Sequence, residues 1–386
     1  MKILYVISVL KQGKGGHYHS LNHISREVAK KQTVGLITIG RVESHIISNN
    51  PYFLSNLHFD GLNIFSLYKS LNSLLSGFKP DIIHFFDYNA YNITKVLVSN
   101  KKYSFVTNLC GGPNPYKHPK VENLVLFSRE NQKWFESNPK FKNTITRLIP
   151  NRVSKIGVTS EPLVKKNKNA FCFVRIARIS NFHYKSIEQT VNLFKILNTK
   201  KNSKLSLYII GTIQDNLAYE NLLTLIGKDT KITLLTDDTY TKEASKMLYL
   251  ADAVIATGRG VMEAASLGLP VLTPAKNSNI PILLKASNYD NFFATNFSER
   301  NIASEKDIKA NIENINKLLV DKDYYKNLSN FSLKLFEEEF DIKGATKKYN
   351  KMYQLALKNN YSVSKTSDIY LKIRTMYYFN LSRKKN

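Results

Sequence analysis

Residues 251–274 read ADAVIATGRGVMEAASLGLPVLTP: a short apolar strand, an arginine between two glycines, a helix carrying Glu263, and a Gly-x-Pro turn into a second strand. Val254, Ile255 and Ala256 are too few for a helix, and Gly258 with Gly260 lets the backbone turn sharply where the strand ends. Arg259 stands in that turn. A helix expected over residues 261–267 directs its unpaired N–H groups and positive dipole end at any anion lying beyond the strand, and a diphosphate fits there. Gly268 supplies a left-handed cap and Pro270 stops the helix, so residues 271–272 re-enter as a strand. Glu263 lies four positions after Arg259. It suits either a carboxylate accepting both hydroxyls of a ribose or a helix-end ion pair worth roughly 0.2–0.5 kcal/mol.

Two further groups of residues carry chemistry. In VRIARISNFHYK, Arg178 stands just past a strand and Lys185 at the approach to the next helix, so two cations flank one loop mouth. A guanidinium grips phosphate oxygens through a planar fork and an ammonium acts as a point charge; ordinary surface charge is the bland alternative. In KQGKGGHYHSL, Gly15 and Gly16 precede a helix and let the backbone approach a ligand closely, although the spacing is not that of a dinucleotide fingerprint. His17 and His19 suit contact with an acceptor sugar or a phosphate, or are merely solvated loop histidines. The eight histidines have no cysteine partners at ligand spacing, and Asp237-Asp238 reads as a turn, so no metal is expected.

These residues need strands to hold them. Short apolar runs alternate with helical patterns: strands are expected at residues 3–9, 34–39, 63–66, 81–86, 104–109, 123–127 and 144–149, with helices at 21–29, 68–77, 90–99 and 129–136. A polar, lysine-rich stretch at 160–169 separates this series from a second one. There the strands are 171–177, 205–210, 232–235 and 254–256, and the helices 187–197, 217–226, 242–250, 308–319 and 345–357. Such alternation implies parallel sheets with crossover helices, whose ligands bind beyond the carboxyl ends of the strands.

The size of the chain agrees with two domains. At 386 residues it exceeds one ordinary core, and 43% apolar residues argue against extended disorder. Lysine and arginine outnumber aspartate and glutamate by 56 to 30, and the excess runs through both halves. It suits an anionic lipid surface, nucleotide diphosphates or nucleic acid, or it is a compositional bias with no specific use. Cys110 and Cys172 form no metal or redox pair and fit a reduced, cytosolic setting. No stretch approaches the ~20 apolar residues that cross a bilayer, and the N-terminus lacks the features of a signal peptide. Residues 361–386 form a basic tail interleaved with Ile369, Ile373, Met376, Tyr377 and Phe379, which reads as an interfacial helix on anionic lipid or as a frayed terminus.

Over residues 1–360 the chain resembles the retaining glycosyltransferases of the GT-B fold, the family 4 group that builds bacterial capsules, O-antigens and other surface glycans. The resemblance rests on GRGVMEAASLGLPVL, on Arg178 with Lys185, and on LIPNRV at 148–153, which is similar to the family's interdomain hinge. It implies an α/β chain of two Rossmann-like doubly wound domains facing a cleft. Residues 1–155 would form the acceptor side and 165–340 the donor-nucleotide side, with a terminal helix at 341–360 returning to the first domain.

On this resemblance Arg178 and Lys185 bind the donor diphosphate and act in catalysis, Glu263 binds the ribose, and Gly15, Gly16, Arg259 and Gly260 line the nucleotide-sugar site. His17 lies on the acceptor side. The implied partners are a nucleotide-sugar donor, with uridine donors first, and a glycan or lipid-linked acceptor. An anionic membrane surface is also implied; a metal cofactor and nucleic acid are not. The setting is cytoplasmic, at the inner face of the plasma membrane. The family's earlier glutamate is replaced by Ile255, and TNLCGGPNP offers no acceptor-side histidine, so no general base is assigned. A sugar-nucleotide epimerase and a basic nucleic-acid binder are the competing readings.

Overall fold

The computed structural model describes residues 1–11, 13–98, 102–157, 162–199 and 204–381. The chain divides into two compact units: unit 1 is Met1–Arg152 with Ile342–Asn386, and unit 2 is Val153–Asp341.

In chain order, the first part of unit 1 comprises β1 (Lys2–Val9), α1 (Gly16–Val28), β2 (Thr33–Gly40), α2 (His45–Ser48), β3 (Phe53–His58), α3 (Ile64–Phe78), β4 (Ile82–Phe85), α4 (Tyr88–Leu97), β5 (Ser104–Leu109), β6 (Asn123–Leu126), α5 (Arg129–Ser137) and β7 (Ile145–Leu148). Its seven strands are parallel, in the order β3-β2-β1-β4-β5-β6-β7. β1 is buried along almost its whole length, and alternate residues feed two cores on opposite faces: Tyr5 and Ile7 on one, Leu4 and Val6 on the other.

Unit 2 comprises β8 (Phe171–Ile176), α6 (Asn181–Leu197), β9 (Leu205–Ile210), α7 (Asn216–Ile226), β10 (Ile232–Leu235), α8 (Asp238–Thr241), β11 (Ala253–Ile255), α9 (Arg259–Ser266), β12 (Val271–Thr273), β13 (Ile282–Leu283), α10 (Tyr289–Ala294), α11 (Glu305–Val320) and α12 (Lys322–Leu335). Its order is β10-β9-β8-β11-β12-β13, parallel except for β13. The fold is therefore α/β, with two Rossmann-like doubly wound sheets. In unit 1 the strand order reverses between β1 and β4, and in unit 2 between β8 and β11. Ligands of such sheets bind at these points, because the connecting loops diverge there and leave a crevice.

The chain then returns to unit 1 as α13 (Ala345–Lys358) and α14 (Ile369–Leu381). α13 buries Tyr349, Met352 and Tyr353, and the Tyr353 hydroxyl lies 2.8 Å from that of Tyr5 and 2.9 Å from His84 Nδ1. α14 packs on α4 through Leu371, Thr375 and Phe379, with the Phe379 ring 5.0 Å from that of Phe59. Asp368 anchors its start by accepting from Lys120 N at 2.7 Å and pairing with Lys140 at 2.8 Å. The described part of the tail is thus a docked helix, not a frayed end. Residues 382–386, and residues 99, 160 and 161 of the expected helix and linker, lie outside the described residues.

Several expectations need correction. Residues 63–66 open α3 instead of forming a strand: Asp60 and Asn63 bond reciprocally, each side chain to the other's backbone N–H, and so set the start of a helix that buries Leu67, Leu71 and Leu75. The strand lies earlier, as β3, a half-exposed edge strand with weak alternation. The expected helix at 242–250 is a 3-10 segment from Ala244 to Leu250. The charge is also distributed unevenly. Because the basic C-terminal segment joins unit 1, that unit holds 31 basic and nine acidic side chains, a net +22, whereas unit 2 holds 25 and 21, a net +4.

Candidate functional site

Each reversal point gathers candidate residues within its own unit. In unit 2, Arg178 follows β8, and Gly258, Arg259, Gly260 and Glu263 follow β11, the strand paired to it. Gly258 caps α9 with φ 50°, a backbone state that favours glycine, and its N–H donates to Phe297 O. Asn296 and Phe297 themselves have positive φ, at 57° and 53°, so this turn is braced by strained backbone.

α9 starts at Arg259, two residues earlier than the apolar pattern suggested. Arg259 Nε donates to Glu263 Oε1 at 2.7 Å, and both side chains are half-buried. The ion-pair alternative is thus realised in the structure. Burial raises the Glu263 carboxyl above its ordinary range while Arg259 opposes the shift.

α6 begins at Asn181, six residues before the expected start, because Asn-Phe-His-Tyr-Lys hides its periodicity. Lys185 therefore sits in the second turn of the helix, exposed, and Arg178 is exposed in the loop before it. Arg178 is not isolated. Its Nη2 lies 3.3 Å from His183 Nε2, and His183 Nδ1 lies 3.0 Å from Glu299 Oε1. A guanidinium only donates and a carboxylate only accepts, so His183 carries its proton on Nδ1 and accepts from Arg178 through Nε2.

Arg175, fully buried at the end of β8, donates to Ser186 Oγ at 2.7 Å and to Ile255 O at 3.3 Å, and stands 3.9 Å from Glu299. It ties the ends of β8 and β11 to the first turns of α6. Burial lowers its pKa to about 10, with Glu299 opposing, so it stays charged at neutral pH. Burial works against the charge on Glu299, but hydrogen bonds from His183 and Ser186 and the charge of Arg175 outweigh it and hold the carboxyl below its ordinary range.

In unit 1 the β1–α1 loop sits at the other reversal point. Gly13, with φ 62°, is packed against Ser44, whose hydroxyl donates to Gly13 O at 2.6 Å. Gly15 caps α1 with φ 143°. Gly16 differs from both: no chain atom lies within 4 Å of where a Cβ would stand, so the packing does not require glycine there. His17 is half-buried, and burial lowers its pKa below 6.5, with Asp87 opposing.

Asp87, at the end of β4, accepts from Ser8 N at 2.7 Å, Ser8 Oγ at 2.8 Å and Ala90 N at 2.8 Å, capping α4 and joining it to β1. Burial pushes the Cys110 thiol up to about 12, which makes it inert as a nucleophile.

Sequence reasoning missed Arg175, His183, Glu299 and Asp87. Only Asp87 left a local signal, as an aspartate directly between a strand and a helix. Among the described residues no group of three His, Cys, Asp or Glu side chains could hold a metal ion, and no helix is long and apolar enough to cross a membrane.

No family model matches the chain, and no curated protein matches it in sequence. Solved structures do match the fold. A glycosyltransferase from Rickettsia africae superposes with a TM-score of 0.66 at 14% identity, covering 93% of this chain and 99% of that one. Anabaena Alr3699/HepE, solved with UDP-glucose, gives 0.64 at 15% identity over 92% and 100%. UDP-GlcNAc 2-epimerase from Neisseria meningitidis gives 0.56 at 16% over 92% and 100%. At these identities the likeness establishes the fold, two Rossmann-like domains of the GT-B type.

Proposed function

We propose that this protein is a glycosyltransferase that moves a sugar from a nucleotide-sugar, UDP-sugars foremost, to a glycan or lipid-linked acceptor. Retention of anomeric configuration and a role in cell-surface polysaccharide synthesis, with the enzyme peripheral on the inner face of the plasma membrane, belong to the same reading. One observation carries it: Arg178, Arg259 and Glu263 all follow the two strands where the sheet order of unit 2 reverses, and the arginines there are braced by side chains. Fixed cations at such a crevice suit a diphosphate, and the fold is shared with a structure solved with UDP-glucose.

In this reading Arg178 and Lys185 stabilise the negative charge that grows on the leaving diphosphate, a task that elsewhere falls to a metal. Arg259, Gly260 and the first N–H groups of α9 hold the nucleotide phosphates. Arg259 engages Glu263 Oε1, and the ribose hydroxyls are assigned to Oε2. In unit 1 the Gly15–Gly16 turn offers backbone N–H groups to a phosphate, and neutral His17 serves the acceptor. The acceptor hydroxyl attacks on the face from which the diphosphate departs, and a leaving phosphate oxygen takes its proton.

The test is a panel of sugar nucleotides scored for protection against thermal unfolding, followed by product analysis with and without an acceptor. Protection by one donor and transfer only in the presence of acceptor is the expected result. Isomerisation of a labelled donor without acceptor would identify an epimerase instead, and protection by none would refute the site.

A further inference from the structure

A helix docked on a domain ordinarily turns a charged face outward, whereas α14 exposes a single cation, Arg374, beside a row of apolar and tyrosine side chains. Its inner face is buried on α4, while on its outer face Ile369, Tyr370, Ile373 and Tyr377 are 54–60% exposed. The patch extends beyond the helix. Gly61 lies so close to α14 that a Cβ there would stand 2.5 Å from Met376 O, and just after it Leu62 and Phe65 are 69% and 82% exposed. Cations rim this surface: Lys117 Nζ lies 4.9 Å from the Tyr370 ring, and Arg374 lies 5.1 Å from the Tyr378 ring and donates to its hydroxyl at 2.7 Å. The unit that bears it carries +22.

We propose that this face, formed by the outer side of α14 with Leu62 and Phe65, docks unit 1 on an anionic lipid bilayer. The aliphatic and tyrosine side chains enter the headgroup layer, the lysine and arginine heads remain at the phosphates, and the net charge of the unit draws it to the surface. A second copy of the chain is a poor occupant, because two +22 units repel one another. Nucleic acid is a poor one too, since isoleucine, leucine and phenylalanine at the surface gain little against phosphates. The inference deepens the membrane part of the proposed function and rests on it, while remaining separable from sugar transfer.

The experiment is flotation of the full chain with vesicles of phosphatidylcholine alone and of phosphatidylcholine and phosphatidylglycerol in equal parts. Truncation at Asn360 is a poor control because it strips Phe379 from the core. The variant is instead the charge-neutral triple Ile369→Ser, Ile373→Ser, Tyr377→Ser, checked for an unchanged melting temperature, with the single variant Ile373→Ser as a second arm should the triple fold poorly. The wild-type chain is expected to float with the anionic vesicles only, and the triple variant to bind them at least about tenfold more weakly. Binding unaffected by these substitutions would mean that charge alone adsorbs the protein, and would overturn the proposal, as would a wild-type chain that ignores anionic vesicles. A chain that floats as expected yet transfers no sugar would keep the docking surface and remove the enzyme reading.

Discussion

The two reversal-point loops use glycine alike and charge differently. Unit 1 carries most of the excess charge, yet the lysines of its loop, Lys11 and Lys14, are exposed, and the one acid there, Asp87, is spent on Ser8 and Ala90. Unit 2 is close to neutral, yet it braces three arginines around one pair of strand ends with Glu263, His183 and Glu299. Net charge and site charge are therefore separate properties. Net charge bears on which surfaces a protein meets, whereas cations held in place can, under the proposed function, stabilise a departing diphosphate without reorganising as charge develops.

The largest expected effect sharpens the contrast in stability. Lys95 and Glu122 are buried in unit 1, 2.6 Å apart, and Glu122 also accepts from Val363 N at 3.0 Å, tying down the C-terminal segment. Glu122→Gln leaves a buried ammonium without its counter-charge and should cost about 3–5 kcal/mol. Trp134, the single tryptophan, lies in unit 1, so its fluorescence in urea reads this loss directly.

Acid should also act through unit 1. Burial lowers the pKa of His84 to about 3 and that of His118 to about 4, so both are neutral in the fold and protonate on unfolding. The stability they contribute is complete above the unfolded pKa near 6.5 and is lost as pH falls from there towards 3–4. Well below 6.5 each histidine removes about 1.4 kcal/mol per pH unit. The melting midpoint of Trp134 fluorescence should drop between pH 6.5 and 5, and His84→Gln should flatten that slope. A midpoint constant over this range would contradict the buried neutral state.

The next pair separates structural from functional glycine within one loop. Gly13→Ala forces a side chain into φ 62° with its Cβ 2.6 Å from Ser44 Cβ, and should destabilise unit 1 by about 1–3 kcal/mol. Gly16→Ala meets no chain atom, so it should leave melting unchanged and weaken ligand binding. Equal melting of the two variants would refute the distinction. The smallest effect belongs to Glu299→Gln in unit 2, which loosens His183 and, through it, Arg178. About a tenfold loss of transfer is expected, less than for removal of Arg178 itself.

Much of this was legible beforehand because local patterns announce it. Apolar runs such as residues 3–9 and 205–210 read as buried strands by their shortness and β-branched content, and the glycine pair around Arg259 marks a turn at a strand end. What escaped is of two kinds. β3, β13 and α12 bury too few residues for their periodicity to stand out. The braces Arg175, His183 and Glu299 span 124 positions, and their partnership exists only once β8, β11 and the strained turn at residues 296–297 are brought together. The same holds for the tail: its composition suggested a lipid-facing helix, but not that one side of it completes the core of unit 1.

The most direct test compares single-turnover sugar transfer with donor affinity, measured separately by calorimetry, in the wild type and in Arg178→Ala. If fixed cations at the reversal point of unit 2 stabilise the departing diphosphate, transfer should slow by about 10²–10³-fold while donor affinity falls far less. Transfer at the wild-type rate in that variant would contradict the assignment of this site.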